Sequence, residues 1–190
     1  MKKIILSSFT ALAMLALTSC GSEDSIEQAA EQSVQQFEAD GVQEDMKNDA
    51  LFVAEAASAS MLQVQLGEAA SGMAVSPEVQ GLAKEMVQAH QNILNDLRGV
   101  TDQSNFVLPT TLGEAHHEVY EEVTSKSGIT FDLAYLNQII KLNKNLVDRY
   151  DDMAEHGQVM ELRQYASKQL PLLRQHEEIL DRLEDSIDDL

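Results

Sequence analysis

The chain has little of several residue types that most globular proteins use freely. Its 190 residues include one cysteine, no tryptophan, three prolines, and 13 basic residues against 32 acidic ones. A single cysteine excludes a disulfide framework, and the rarity of proline beside abundant Ala, Leu, Gln and Glu favours helices over strands. A strongly acidic chain is repelled by phosphate backbones, so we predict that nucleic acid is not a partner.

The sequence also lacks the motifs of common enzyme classes. It contains no Gly-x-Ser-x-Gly nucleophile elbow and no glycine-rich phosphate loop. The lone thiol belongs to the leader described next, so no catalytic cysteine is left. We therefore name no catalytic residue and expect a protein that is not an enzyme.

The first 20 residues read as an export leader. Lys2 and Lys3 precede an apolar run from Ile4 to Leu17 that is short for a membrane span. The segment Leu17-Thr18-Ser19-Cys20 that follows resembles the lipobox of bacterial lipoproteins, in which the cysteine thiol takes a diacylglycerol and becomes the new N-terminus. We predict a signal peptide over 1–19, lipidation at Cys20 and, because Gly21 follows in place of aspartate, an outer-membrane location in the cell envelope.

The remaining chain divides into a tether and a helical domain. Residues 20–48 are acidic and Gln-rich with sparse apolar positions, which predicts a tether that is at most partly helical. Residues 49–190 carry four long periodic segments and one short one. The predicted helices cover about 49–71, 77–103, 113–126, 130–156 and 158–187, with Ser76 as an N-cap, Pro77 at the first helical position, and Gly72 and Gly157 as stops. Pro171 predicts a kink in the last helix.

Apolar residues recur at spacings of three and four in each long segment, which indicates helices packed in a bundle. The four predicted stripes are Phe52, Ala56, Ala59, Gln63, Leu66, Ala70, Met73; Val79, Leu82, Met86, His90, Ile93, Leu97; Leu136, Ile139, Asn143, Leu146, Tyr150, Met153; and Leu162, Tyr165, Gln169, Leu172, His176, Ile179, Leu183. Each stripe carries a polar residue near its middle, and these residues are Gln63, His90, Asn143 and His176. We predict that these four form one buried polar layer, whose members are hydrogen-bonded or bind something.

Several pieces of the domain resemble a known family of exported bacterial proteins, domain of unknown function family 4142. The resemblance covers about 51–183 and rests on Phe52-Val53 with the following alanines, Val64-Gln65-Leu66-Gly67, Met86-Val87 ahead of His90, Phe131-Asp132-Leu133-Ala134-Tyr135-Leu136, and Leu170-Pro171-Leu172-Leu173-Arg174-Gln175-His176. That family is similar to ferritin-like proteins. The resemblance implies an all-α, ferritin-like antiparallel four-helix bundle with a short connecting helix between the second and third long helices.

The chain departs from the family pattern at the positions that would bind metal. Gln63 stands where the family commonly has a carboxylate, and Ala89-His90 and Leu142-Asn143 stand where it has Asp-His. A ferritin-like di-iron centre also needs Glu three residues before each histidine, and Val87 and Leu173 occupy those positions. We therefore favour a polar layer that fixes helix register over a metal site.

The remaining candidate polar residues have simpler interpretations. Asp132 is expected to stabilise the start of its own helix, and His156 the end of its helix. His116-His117 lie beside several glutamates, which leaves open a weak surface metal site, although a solvated acidic face is the commoner outcome.

Two hypotheses follow. The first is a non-enzymatic envelope lipoprotein, lipid-anchored in a membrane, which needs no cofactor and acts on an unknown envelope protein or cell-wall partner. Cleavage after residue 19 would take its formal charge from −19 to −21 by removing Lys2 and Lys3. The alternative is a metal-binding or redox bundle that uses His90 and His176.

Overall fold

The computed structural model describes residues 24–42 and 46–188, and the side chains up to residue 183. The predicted signal peptide and Cys20 lie outside the described residues. The described chain is helical with no strand, which confirms the all-α prediction. Its six helices are α1 (Ser25–Ala39), α2 (Lys47–Met73), α3 (Pro77–Ser104), α4 (Glu114–Thr124), α5 (Ile129–His156) and α6 (Met160–Asp188).

The four long helices pack side by side in a ring. Helix α2 contacts α3 and α5, and α6 contacts α5 and α3. Residues 74–76 join α2 to α3 and residues 157–159 join α5 to α6, so each pair forms an antiparallel hairpin. None of the described helices combines the length and the apolar character that crossing a membrane requires.

Local sequence explains where these helices begin and end. The Ser76 hydroxyl accepts a hydrogen bond from the Val79 N–H at 3.3 Å and Pro77 is the first residue of α3, as predicted. Gly157 follows the last residue of α5, also as predicted, but Gly72 lies inside α2, which ends at Met73. Asn105 ends α3 in the left-handed conformation at φ 58°, which asparagine tolerates better than most residues.

The two hairpins hold each other through a matched pair of buried aspartates. Asp132, in the first turn of α5, accepts hydrogen bonds from the backbone N–H groups of Val75 and Ser76. Asp49, in the first turn of α2, accepts the equivalent bonds from Gln158 and Val159. Asp132 thus serves the turn and helix start of the opposite hairpin, in addition to its predicted place at the start of α5.

Equivalent residues of the two hairpins are separated by a constant difference in residue number. Asp132 follows Asp49 by 83 positions, and Gln158 and Val159 follow Val75 and Ser76 by the same 83. The offset also pairs buried positions of α3 with buried positions of α6: Val79 with Leu162, Leu82 with Tyr165, Ala83 with Ala166, and Leu97 with Leu180. The α2–α3 and α5–α6 hairpins therefore use one packing pattern twice.

Helix α1 packs against the rest of the molecule within the segment predicted as a tether. Ala29, Ala30 and Ser33 of α1 are buried, and the Ser33 hydroxyl accepts a hydrogen bond from the Val107 N–H at 2.8 Å. The Asp24 carboxylate caps two helices, accepting from the N–H groups of Ile26 in α1 and Glu114 in α4. Much of the segment predicted as a tether is therefore packed against the rest of the described domain.

The stripe predicted for α6 needs a correction in its second half. Leu173 and Leu180 are buried there, whereas the predicted Leu172 and Ile179 are only half-buried. The helix runs continuously through Pro171, which lies on its exposed side. Met73, predicted to close the stripe of α2, is 40% exposed because it is the last residue of that helix.

Candidate functional site

The four polar residues predicted for the bundle interior all lie in its core. Gln63 and His90 are fully buried, Asn143 is 1% exposed and His176 is 6% exposed. They come from α2, α3, α5 and α6, one from each long helix. We call these four residues the polar layer.

The polar layer lies at the boundary between two apolar clusters. On α3, Met86 before His90 belongs to one cluster and Ile93 after it belongs to the other. On α6, Leu173 before His176 and Leu180 after it are likewise divided between the two. Since the boundary falls at the polar residue on both helices, the histidines lie at the same level of the bundle.

Direct contacts connect the layer across the ring. The His90 and His176 rings lie with centroids 6.1 Å apart and a tilt of 41°. On the other side, His90 Nδ1 is 3.4 Å from the hydroxyl oxygen of Ser60, one turn before Gln63 on α2. Asn143 Nδ2 donates to the backbone carbonyl of Leu173 at 3.0 Å, which ties α5 to α6 one turn before His176.

Much of the hydrogen-bonding capacity of the layer has no partner among the residues that the structure describes. Both amide atoms of Gln63, His90 Nε2, Asn143 Oδ1 and His176 Nδ1 are buried without a hydrogen bond. A buried amide or imidazole that gives up water without replacement costs roughly 1–3 kcal/mol in protein mutational data. Five such atoms in the polar layer distinguish this part of the core from an ordinary core, in which buried polar atoms are hydrogen-bonded.

Burial keeps both histidines uncharged. Loss of hydration lowers the pKa of His90 to about 3, and the neighbouring His176 adds to the shift because two charged imidazoles repel each other. Loss of hydration also lowers the pKa of His176. At neutral pH both rings are therefore neutral, the form in which an imidazole nitrogen binds a metal ion.

The layer does not carry the ligands of a di-iron centre. Val87 and Leu173 stand three residues before the two histidines, as the sequence shows. Across residues 24–42 and 46–188, no three His, Cys, Asp or Glu side chains come together as metal ligands would. Any ion in the layer would have to be held by neutral nitrogen, oxygen or sulfur atoms.

The other candidate histidines lie on the surface or in helix contacts. His116 Nδ1 is 2.7 Å from the hydroxyl of Ser58, which also accepts a hydrogen bond from the Gly113 N–H, so His116 fastens α4 to α2. Burial lowers the pKa of His116, against the opposing effect of Asp24 and Glu55. His117 lies 3.9 Å from Glu121 with both side chains well exposed. At the end of α5, His156 contacts Asp152 at 3.2 Å.

Two residues near the layer were not assigned to it from the sequence: Ser60 was not singled out, and Met86 was predicted only as an apolar residue of its stripe. Ser60 contacts His90, and its only signal was its place one turn before Gln63 on the same helix. Met86 is fully buried one turn before His90.

Comparison with known families gives one result. A search of curated proteins and a search of solved structures each find no match to this chain. The family model described as domain of unknown function (DUF4142) matches residues 32–183, which include the last part of α1, all of α2 to α5 and most of α6. The chain therefore belongs to the DUF4142 family.

Proposed function

We propose that this protein is a lipid-anchored lipoprotein of the bacterial cell envelope, whose helical domain is a non-enzymatic binding or structural module. Cys20 carries the lipid, the outer membrane is the favoured location, and the partner is an envelope protein or cell-wall component. The ring of two antiparallel hairpins supports a ferritin-like four-helix arrangement for the domain.

The docking of α1 is the observation that supports this proposal most directly. Asp24 caps α1 and α4 together. Ile26 of α1 also packs so closely on Gly113 that a Cβ atom there would lie 2.5 Å from its Cδ1 atom. Four residues from Cys20 to Asp24 span at most about 14 Å. A lipid on Cys20 would thus hold the domain against the membrane surface.

The lipid anchor is tested by fatty-acid labelling in cells. The wild-type chain should incorporate an alkyne fatty acid, and Cys20→Ala should abolish the label. Ser22→Ala is the matched control, because it changes a neighbouring residue outside the lipobox and should keep the label. Labelling that persists in Cys20→Ala would overturn the lipoprotein assignment.

The short reach of the anchor is tested with tryptophan fluorescence, since the chain has no tryptophan of its own. In phosphatidylcholine vesicles with spin-labelled headgroups, Glu27→Trp in the first turns of α1 should be quenched strongly. Val75→Trp is the control. The start of α1 lies level with Ser58 of α2, and residue 75, in the turn between α2 and α3, lies about 25 Å further along the bundle. Equal quenching at both positions would refute a membrane-adjacent α1.

A second candidate function is a metal-binding or redox bundle, and the free buried nitrogens of His90 and His176 favour it. The two candidates differ in whether the protein catalyses repeated turnover of a substrate. A metal-loaded chain that catalyses repeated oxidation and reduction of a small-molecule substrate, with loss of that activity in a double histidine variant, would replace the non-enzymatic assignment.

A further inference from the structure

We propose that the polar layer binds one soft monovalent cation, Cu(I), between the imidazole nitrogens of His90 and His176, with the thioether of Met86 as a third ligand. This site rests on the second candidate function above, for which it names the ion and the ligand set, and it does not depend on the lipid anchor.

The geometry of the two rings fits a shared ion. His90 Nε2 and His176 Nδ1 are buried and have no hydrogen-bond partner. Because the ring centroids are 6.1 Å apart, nitrogens that face each other are no closer than about 4 Å, beyond hydrogen-bond reach and about twice a metal–imidazole bond of about 2 Å. The two nitrogens are therefore too far apart to hydrogen-bond to each other. An ion between the two rings could be bound by both.

The charge of the layer favours a monovalent ion. The four residues that form it are two imidazoles and two amides, so none of them supplies a negative charge. The two fully buried aspartates, Asp49 and Asp132, are engaged with backbone N–H groups at the two hairpin turns. A divalent ion without a neighbouring carboxylate would carry a large desolvation cost, whereas a single charge costs much less.

The softness of the available ligands selects copper among monovalent ions. Thioether and imidazole ligands suit Cu(I), whereas Na⁺ and K⁺ need several oxygen ligands. Met86 supplies a fully buried thioether four residues before His90, on the same face of α3. Two imidazoles and one thioether form a neutral, three-coordinate, soft ligand set.

Packing alone does not require a histidine pair at this contact. Under the 83-residue offset, His90 corresponds to Leu173 and His176 corresponds to Ile93. Ile93 and Leu173 are both buried in the same apolar cluster. Since the fold places two buried aliphatic side chains at the equivalent positions, its packing does not depend on a histidine pair.

The same equivalence provides the variant that tests the site. His90→Leu with His176→Ile reproduces the aliphatic pair of the other hairpin, so this double variant should fold and its helicity can be checked by circular dichroism. All measurements use the full chain in detergent with Cys20→Ala, because a free thiol would itself bind Cu(I). His117→Ala removes an exposed histidine and is the matched control.

The experiment is anaerobic titration with Cu(I) against the chelator bicinchoninate. We expect one tightly bound Cu(I) per chain, unchanged in His117→Ala, lost in the double variant and weakened about tenfold in Met86→Leu. X-ray absorption should show a low-coordinate Cu(I) with two nitrogen ligands and one sulfur ligand, and Zn(II) should bind far more weakly.

Several results would overturn the proposal. One is failure of the wild-type chain to compete with the chelator. Another is equal retention in the double variant, which would place the copper on surface methionines. If the double variant does not fold, Met86→Leu and the X-ray absorption spectrum decide, because a spectrum without nitrogen ligands excludes the histidine site. Zn(II) binding that is tighter than Cu(I) binding and needs both histidines would refute the choice of ion.

Discussion

Replacing Gln63 by methionine should make the metal-free protein more stable. Gln63 is fully buried, and neither its amide nitrogen nor its amide oxygen has a hydrogen-bond partner. Burying an amide without compensation costs roughly 1–3 kcal/mol. Methionine has nearly the same shape and volume, so the change removes the polar cost without leaving a cavity.

The expected gain is about 1–3 kcal/mol in the free energy of unfolding, or roughly 2–10 °C in Tm for a chain of this length. It is measured by urea unfolding in the presence of a metal chelator. A shift of the midpoint at constant slope would show that stability has changed, rather than the compactness of the unfolded chain.

Gln169→Met is the matched control. Gln169 is also buried, but its amide nitrogen donates to the Asp96 carboxylate at 2.7 Å. The same substitution should therefore cost about 1–2 kcal/mol there. If Gln63→Met loses stability as Gln169→Met does, Gln63 has a partner in the folded protein, and the argument from unpaired buried atoms fails.

Three further predictions concern the same core. The pKa of His90 is about 3 in the folded chain and 6.5 in the unfolded chain. Between these two pH values only the unfolded chain takes up a proton, so the folded state loses stability as the pH is lowered. Urea unfolding at pH 7 and pH 5 should show a loss of about 2 kcal/mol at this residue that is absent in His90→Leu, and an equal loss in both would contradict the assignment. Gly67→Ala should destabilise by about 1–3 kcal/mol because its Cβ would lie 2.6 Å from Val87 Cγ2, whereas Gly99→Ala, with open space around it, should stabilise by about 0.5–1 kcal/mol in thermal unfolding. Asp132→Ala and Asp49→Ala should each cost about 2–4 kcal/mol in urea unfolding, since each leaves two backbone N–H groups unpaired, and a large difference between them would argue against equivalent hairpins.

The positions of the long helices and of the polar layer could be predicted from the sequence because helical periodicity records burial directly. A stripe with one polar residue at its middle, such as His90 between Met86 and Ile93, identifies a polar position in a core from the order of the residues alone. The prediction failed where one helix offered two adjacent apolar residues. Leu172 and Leu173 fit the pattern about equally well, and only packing against the neighbouring helices decides that Leu173 is buried.

The docking of α1 could not be predicted in the same way. Its fully buried residues are Ala29, Ala30 and Ser33, whose small side chains give almost no hydrophobic signal, and the larger Ile26, Val34 and Phe37 that pack beside them are only partly buried and sparsely spaced. Small side chains allow close helix approach, and their burial depends on a partner surface that periodicity cannot reveal. The contacts made by Asp24 were equally hidden, because the Glu114 N–H that it caps lies 90 positions away in the sequence.

The likeness of the two hairpins bears on whether the polar layer fixes helix register. Polar residues that fix helix register should lie at contacts that distinguish the correct packing from a shifted one. Here the aspartates at both turns already hold each hairpin against the other at the same 83-residue offset. The His90–His176 contact adds polarity to only one of two equivalent contacts, while Ile93 and Leu173 occupy the other. Because register is already held at both turns by charged hydrogen bonds, the two free nitrogens are better explained by a ligand than by the needs of folding.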